Sequence, residues 1–368
     1  MEPNGLQKFK VCHEICNDIP LHQQTSCQGL TVRVMQEQLL FLISTPRSGS
    51  TLLMRILHAT SHIYSRPEPH IIPALAHLGF WRTVDKAPYD QLQAQQAMRD
   101  FIQNLPDGED VYFDACRAYT DHLYAKMLGE GEGQFFLDKT PANALVLPFL
   151  EKLYPKAKYI VLTRHPGAIF ASYANSFFDG DYDAAVKFNP ILSRYIPAMA
   201  RFLRESSCDK IHVSYEEVAQ NPEIVLQKIS KFLQIPYEPD AINYTQKNVV
   251  EGLGDPIGVQ KHQRPVDTSI HKWAKELVAD PKKFAVVAKQ ISGCTDEDLD
   301  TWGYPKNVLW TEMEQVDETS YKIRQREWNQ YALTRRVLVS LRKDIHKKPL
   351  GKIIEKARFF CDVLLRGN

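Results

Sequence analysis

The stretch Ser44-Thr45-Pro46-Arg47-Ser48-Gly49-Ser50-Thr51 is the part of this chain best equipped for chemistry. Gly49 allows close approach of the backbone to an anion, or a turn through positive φ. Ser48, Ser50 and Thr51 add hydroxyl donors. A helix opening at this point would aim its first free N–H groups into the same space, where its dipole favours negative charge. Arg47 adds a fixed cation that can grip an oxyanion at two points. The pattern is an anion cradle. It is not the triphosphate loop G-x-x-x-x-G-K-[ST], because the first Gly is absent and Ser50 stands where the Lys belongs.

Other reactive side chains are spaced along the chain. Lys139 lies in Leu137-Asp138-Lys139-Thr140-Pro141, and Arg164 in Thr163-Arg164-His165-Pro166, with Ser172 two helical turns further on. Glu68 and His70 share Pro67-Glu68-Pro69-His70, and His262 sits in Gln260-Lys261-His262-Gln263-Arg264. A carboxylate or an imidazole can take a proton in catalysis, help worth about 10²–10⁴ in rate.

These groups need elements to hold them. Leu39 to Ile43 is a continuous apolar run, as in a strand covered on both faces. Similar runs are Gln134–Leu137, Tyr159–Leu162 and Lys210–Val213, with Ile63-Tyr64 a weaker one. Helical spacing falls between them, over Thr51–Ala59, Tyr89–Leu105, Asn143–Leu153, Ala168–Ser176 and Glu223–Leu233. Alternating strands and helices predict an α/β fold: a three-layer domain with a parallel sheet of about five strands and helices on its faces. Ligands in such sheets bind at the carboxyl ends of the strands, and Arg47, Lys139 and Arg164 all fall there. The domain is expected over residues 36–304, with a helical insert over about 73–133. Residues 1–35 form a leading segment, and 305–368 a basic helical extension.

The 368 residues are 44% hydrophobic and 24% charged, values of a soluble globular protein. Net charge is +1, so nothing global suggests nucleic acid as a partner. No transmembrane segment and no secretory signal is legible, which makes the cytoplasm the expected address. Seven cysteines argue against a complete disulfide framework. Cys12, Cys16 and Cys27, near His13 and His22, match no strong zinc spacing, so no metal is expected.

Pro46-Arg47-Ser-Gly-Ser-Thr51-Leu-Leu resembles the 5'-phosphosulfate loop of sulfotransferases that use 3'-phosphoadenosine 5'-phosphosulfate (PAPS). The resemblance covers about residues 37–275. It is nearest to the bacterial branch that includes sulfotransferase domains of polyketide and olefin assembly lines, which share a stretch like Pro67-Glu68-Pro69-His70-Ile71-Ile72-Pro73. It implies a P-loop-like fold and an in-line transfer of the sulfuryl group to an alcohol, leaving the product PAP. It also implies that the loop (Arg47, Ser48, Gly49, Ser50, Thr51) holds the 5'-phosphosulfate, and Arg164 and Ser172 the 3'-phosphate. Tyr215 would lie near the adenine. Lys261 and Arg264 would belong to a late basic loop over the phosphates, and Lys139 would reach the transferring group.

The pattern departs from many cytosolic members just after Lys139. Their catalytic His two residues on is Pro141 here. The general base is then Glu68, His70 or His262. The acceptor is a small molecule or a carrier-bound acyl chain, and the insert's aromatics Phe80, Trp81, Tyr89, Phe101, Tyr112 and Phe113 would suit an apolar one or a core. Oligomeric state is open. Rival readings are a nucleotide kinase, which would want a Lys in the first loop, and an inactive PAP-binding module.

Overall fold

The five apolar runs all become strands. The computed structural model describes residues 35–66, 68–82, 91–129, 131, 133–244, 264–267 and 270–316. Its first elements are β1 (Leu39–Ser44), α1 (Ser50–Ala59), β2 (Ile63–Ser65), α2 (Ile71–Ala76), α3 (Gln91–Gln103) and α4 (Gly108–Gly129). Then follow β3 (Phe135–Asp138), α5 (Leu147–Leu153), β4 (Lys158–Thr163), α6 (Pro166–Phe177), α7 (Tyr182–Phe188) and α8 (Ile191–Glu205). The rest are β5 (Lys210–Ser214), α9 (Tyr215–Gln220), α10 (Pro222–Leu233), α11 (Lys272–Ala279), α12 (Pro281–Ile291), α13 (Asp296–Trp302) and α14 (Thr311–Glu314).

The described residues fall into two compact units, one within Met1–Thr163 and Ala198–Asp267, the other within Arg164–Pro197 and Thr268–Asn368. The first unit contains the sheet, in the order β2-β3-β1-β4-β5. Every pairing is parallel, with Leu39 opposite Phe136, Leu40 opposite Lys158, Ile63 opposite Phe135 and Tyr159 opposite Lys210. All six residues of β1 are buried, so both of its faces are covered, as the continuous apolar run requires. Around Phe41 the rings of Tyr124, Tyr154 and Tyr159 lie with centroids 5.5–6.4 Å away. A fully buried side chain of this kind stabilises the fold by about 1.5–3 kcal/mol, so this cluster is a substantial part of the core.

Among the described residues of the insert, α3 and α4 are helices, and most of the aromatics pack rather than line an opening. Phe80 lies against Tyr112 at 4.4 Å, and Trp81 and Phe113 meet Phe149 of α5 at 5.5 Å each. Phe101 is the exception, 70% exposed. Tyr89 lies outside the described residues.

The helix expected over Asn143–Leu153 is instead a 3₁₀ turn, Pro141–Leu145, followed by α5. Pro148 has no N–H for the carbonyl of Ala144 and its ring would collide with it, so the helix restarts with Pro148 in its first turn. Pro222 takes the same early position in α10, where the missing N–H costs nothing.

In the second unit, α6 carries a buried histidine at its head. His165 Nδ1 accepts the N–H of Gly167 at 3.1 Å, so Nε2 carries the proton and donates to the Leu309 carbonyl at 2.8 Å. The ring stacks on Trp273 of α11, centroids 3.8 Å apart. Burial pushes this imidazole down to about 4 and so keeps it neutral. A Cβ on Gly167 would lie 2.6 Å from Trp273, which explains glycine there. The leading cysteines and histidines, and the basic residues after 316, lie outside the described residues.

Candidate functional site

Because the sheet is parallel, β2, β3 and β1 present their carboxyl ends along one edge, and the chain places a reactive group after each. Arg47 follows β1, Glu68 and His70 follow β2, and Lys139 follows β3. Since β3 lies between β2 and β1, the lysine strand stands between those of Glu68 and Arg47.

The loop after β1 is tightly wound. The Ser48 hydroxyl donates to the Thr45 carbonyl at 2.9 Å, and the Ser48 N–H reaches the same oxygen at 3.4 Å. Arg47 and Gly49 both take left-handed φ, 68° and 87°. For arginine that conformation costs roughly 1–2 kcal/mol, a cost that the surrounding structure must sustain. Such alternation turns successive N–H groups into one concavity, an anion nest. Gly49 is the N-cap of α1, whose N-terminus has no side-chain cap. Ser44 Oγ and Thr45 Oγ1 are buried at the same strand end without a hydrogen-bond partner among the described residues. Buried hydroxyls, a nest and an uncapped ten-residue helix together fit a bound anionic group.

Tyr215 opens α9 directly after β5, in a capping box in which Glu217 Oε2 accepts the Ser214 N–H at 2.9 Å. Its ring rests on Gly49: a Cβ there would lie 2.2 Å and 2.6 Å from two ring carbons. Glycine at 49 is thus required twice, by φ and by contact. The loop and its tyrosine are brought together.

Glu68, Lys139 and His70 also meet. Lys139 Nζ donates to Glu68 Oε1 at 2.6 Å, and His70 Nε2 stands 3.3 Å from Glu68 Oε2. Exposure rises along the row, from 1% at Lys139 through 20% at Glu68 to 47% at His70. His70 adopts φ 53° at the head of α2, and its backbone N–H is held by Thr140 Oγ1 at 3.4 Å. A charge-assisted bond of this kind is worth about 1.5–3 kcal/mol, enough to hold the lysine in one place.

Sequence reasoning missed what lies beneath. Asp138, next to Lys139, is fully buried and accepts from the Tyr124 hydroxyl at 2.6 Å and from Asn143 Nδ2 at 3.4 Å. Burial is the leading cause that pushes this carboxyl up. One turn earlier on α4, Asp121 accepts from the Tyr154 hydroxyl at 2.6 Å and is pushed up to about 6, again by burial first. The available signal was an Asp beside a Lys at a strand end, with Tyr at helical spacing upstream.

Arg264 has an acidic partner. It is exposed and pairs with Glu223 of α10 at 2.9 Å. Lys261 and His262 lie outside the described residues. In the second unit, Arg164 is buried, its carbonyl accepting the Trp302 indole N–H at 2.9 Å. Ser172 is half-buried on the second turn of α6.

A family model described as the Sulfotransferase family matches residues 40–239. The chain is similar to protein-tyrosine sulfotransferase A of Caenorhabditis elegans, 22% identical over 81% of this chain and 78% of that one. It is 34% identical to nodulation protein NoeE of Sinorhizobium fredii, over 37% of this chain and 31% of that protein. Among solved structures, the sulfotransferase domain from the Synechococcus PCC 7002 olefin synthase is 24% identical, with a TM-score of 0.45 over 68% of this chain and 93% of that one. Among the described residues, no helix is long and apolar enough to cross a membrane.

Proposed function

The chain belongs to the sulfotransferase family and is a sulfotransferase, and from that premise we propose that it moves the sulfuryl group of PAPS onto a hydroxyl acceptor. PAPS, when bound, supplies a sulfuryl group activated by a phosphate leaving group. The loop Arg47–Thr51 binds the 5'-phosphosulfate through its N–H groups, the Ser50 and Thr51 hydroxyls and the guanidinium. Arg164 and Ser172 bind the 3'-phosphate, and Tyr215 lies toward the adenine. Lys139 and Arg47 neutralise charge that builds on the sulfuryl and leaving oxygens. Sulfuryl transfer is an in-line displacement, so positioned cations supply most of the catalysis.

The observation that carries the proposal is Lys139, a buried cation held at a strand end by Glu68 at 2.6 Å, in the unit that contains the anion nest. A lone structural lysine is rarely 1% exposed, because burial of its charge is costly unless the charge is used or paired. The acceptor is a small-molecule or acyl-carrier-bound alcohol. A phenolic hydroxyl on a protein is a second reading, supported by the similarity to a protein-tyrosine sulfotransferase over most of both chains.

Calorimetry with PAP tests the donor, with AMP and ATP–Mg²⁺ as controls, on wild type and Arg164→Ala. PAP should bind far more tightly than AMP, and the variant should lose that preference. Binding of ATP–Mg²⁺ without PAP would replace this reading with phosphoryl transfer. Transfer of radiolabelled sulfuryl to an acyl-carrier alcohol or to a tyrosine peptide then separates the two acceptors.

A further inference from the structure

We infer that His70 takes the proton from the acceptor hydroxyl, with Glu68 as the positioning residue that holds the imidazole. The inference rests on the sulfuryl-transfer reading above and names the proton's path within it.

Glu68 is already committed on both sides. Its Oε1 takes the Lys139 ammonium at 2.6 Å, and its Oε2 faces His70 Nε2 at 3.3 Å. Each oxygen keeps a second lone pair, yet a hydroxyl there must share the carboxylate with the ammonium or the imidazole. His70 has no such conflict. His70 Nε2 faces Glu68 at 3.3 Å, and in the tautomer whose Nε2–H points there the lone pair lies on Nδ1, on the other side of the ring. A carboxylate that fixes the tautomer of an imidazole, and then faces the imidazolium once it forms, is the arrangement that makes histidine an effective base.

Three further observations agree. At 47% exposure His70 is the solvent-facing end of the row, so an acceptor can reach it and a proton can leave from it to water. Its backbone is held at φ 53° although it is not glycine. Held strain of this kind concentrates at functional sites. Its N–H is anchored on Thr140, the residue after Lys139, so the base and the sulfuryl-binding cation are fixed to the same strand end.

The step balances. The acceptor oxygen forms a bond to sulfur as the bond from sulfur to the leaving phosphate oxygen breaks, its electron pair staying on that oxygen. The acceptor's proton passes to His70 Nδ1. The imidazolium lies against Glu68 until it loses a proton to solvent.

The test uses the full chain as wild type, His70→Gln, Glu68→Gln and His262→Gln. PAP release from PAPS is followed with phenol or water as acceptor, across about pH 5 to 8. Wild type should show an acid limb. His70→Gln should lose about 10²–10⁴ in rate, with the limb gone and PAP affinity unchanged. Glu68→Gln should keep the limb but lower kcat, with PAP affinity unchanged, because the imidazole is no longer held in one orientation. A limb that survives in His70→Gln and vanishes in Glu68→Gln would make Glu68 itself the base. A limb that vanishes only in His262→Gln would make His262 the base. Either result overturns the inference.

A second measurement does not need turnover. Imidazole ¹⁵N NMR, with His70 assigned by its loss in His70→Gln, should show the Nε2–H tautomer, and Glu68→Gln should relax that preference. An Nδ1–H ring would overturn the inference outright. Absence of PAP binding in wild type would instead sink the sulfuryl-transfer reading beneath it.

Discussion

Two carboxylates flank the same lysine and are treated in opposite ways. Asp138 is sealed beneath Lys139 and bonded by neutral groups, a tyrosine hydroxyl and an asparagine amide. Glu68 stands above it, one-fifth exposed, bonded by the ammonium and facing an imidazole. The first arrangement spends its hydrogen bonds on fixing α4 to the end of β3. The second keeps charges, a route to water and a residue under backbone strain. Partner type, more than residue type, separates a carboxylate that ties elements together from one that holds charged groups in place.

The largest effect expected from breaking this contrast is at the lysine. Lys139→Met should cut sulfuryl transfer about 10²–10³-fold, the usual cost of removing one preorganised charge donor, and change the melting temperature little. Tyr124→Phe should do the reverse. It strands a buried carboxyl, costing about 1–3 kcal/mol in chemical denaturation, while turnover per folded molecule stays within a few-fold. If Tyr124→Phe abolished turnover at unchanged stability, the division between the two carboxylates would fail.

Gly49→Ala comes next. The left-handed φ and the Tyr215 ring both oppose a methyl there, at about 1–2 kcal/mol for φ alone. Weaker PAP binding by calorimetry should exceed any loss of stability.

The smallest effects are in pH dependence, where two buried groups pull in opposite directions. His165 is held down to about 4 by burial. Its stabilisation is present above the unfolded value of 6.5 and is lost as pH falls through about 4. Asp121 is pushed up to about 6 by burial. Its contribution is present below the unfolded value of 3.8 and is lost as pH rises through about 6. Asp121→Asn should therefore gain melting temperature relative to wild type on going from pH 4 to pH 7. A flat difference would mean that Asp121 is not buried as described.

The sheet and the first loop were legible in the sequence because each rests on a local pattern. Continuous apolar runs mark doubly covered strands, and Arg-Ser-Gly-Ser marks a turn that opens a helix. The long helix α4 was not delimited, since apolar residues lie on both its faces. Val111, Tyr119 and Leu123 are exposed, while Phe113, Cys116, Tyr124 and Leu128 are buried. Glu68, His70 and Lys139 could be singled out one by one, but the Glu68–Lys139 bond spans 71 positions and only the strand order reveals it. The Tyr124–Asp138 bond was invisible for a similar reason, joining a helix to a strand end. Arg264 reads as a phosphate ligand in the sequence, and its pairing with Glu223, 41 positions earlier, could not be read from a local pattern.

The strand order also has a consequence for how the chain is made. β1 and β2 leave the ribosome first, yet they are not neighbours, since β3 is inserted between them. The whole chain from Ser65 to Phe135 must be synthesised before that place can be filled. At about 5–20 residues per second, the interval is roughly 4–14 s. Throughout it, the apolar β1 has neither the β3 nor the β4 edge to pair with. Chaperone dependence during synthesis should accordingly peak while the α3–α4 region is being translated, and fall once β3 docks.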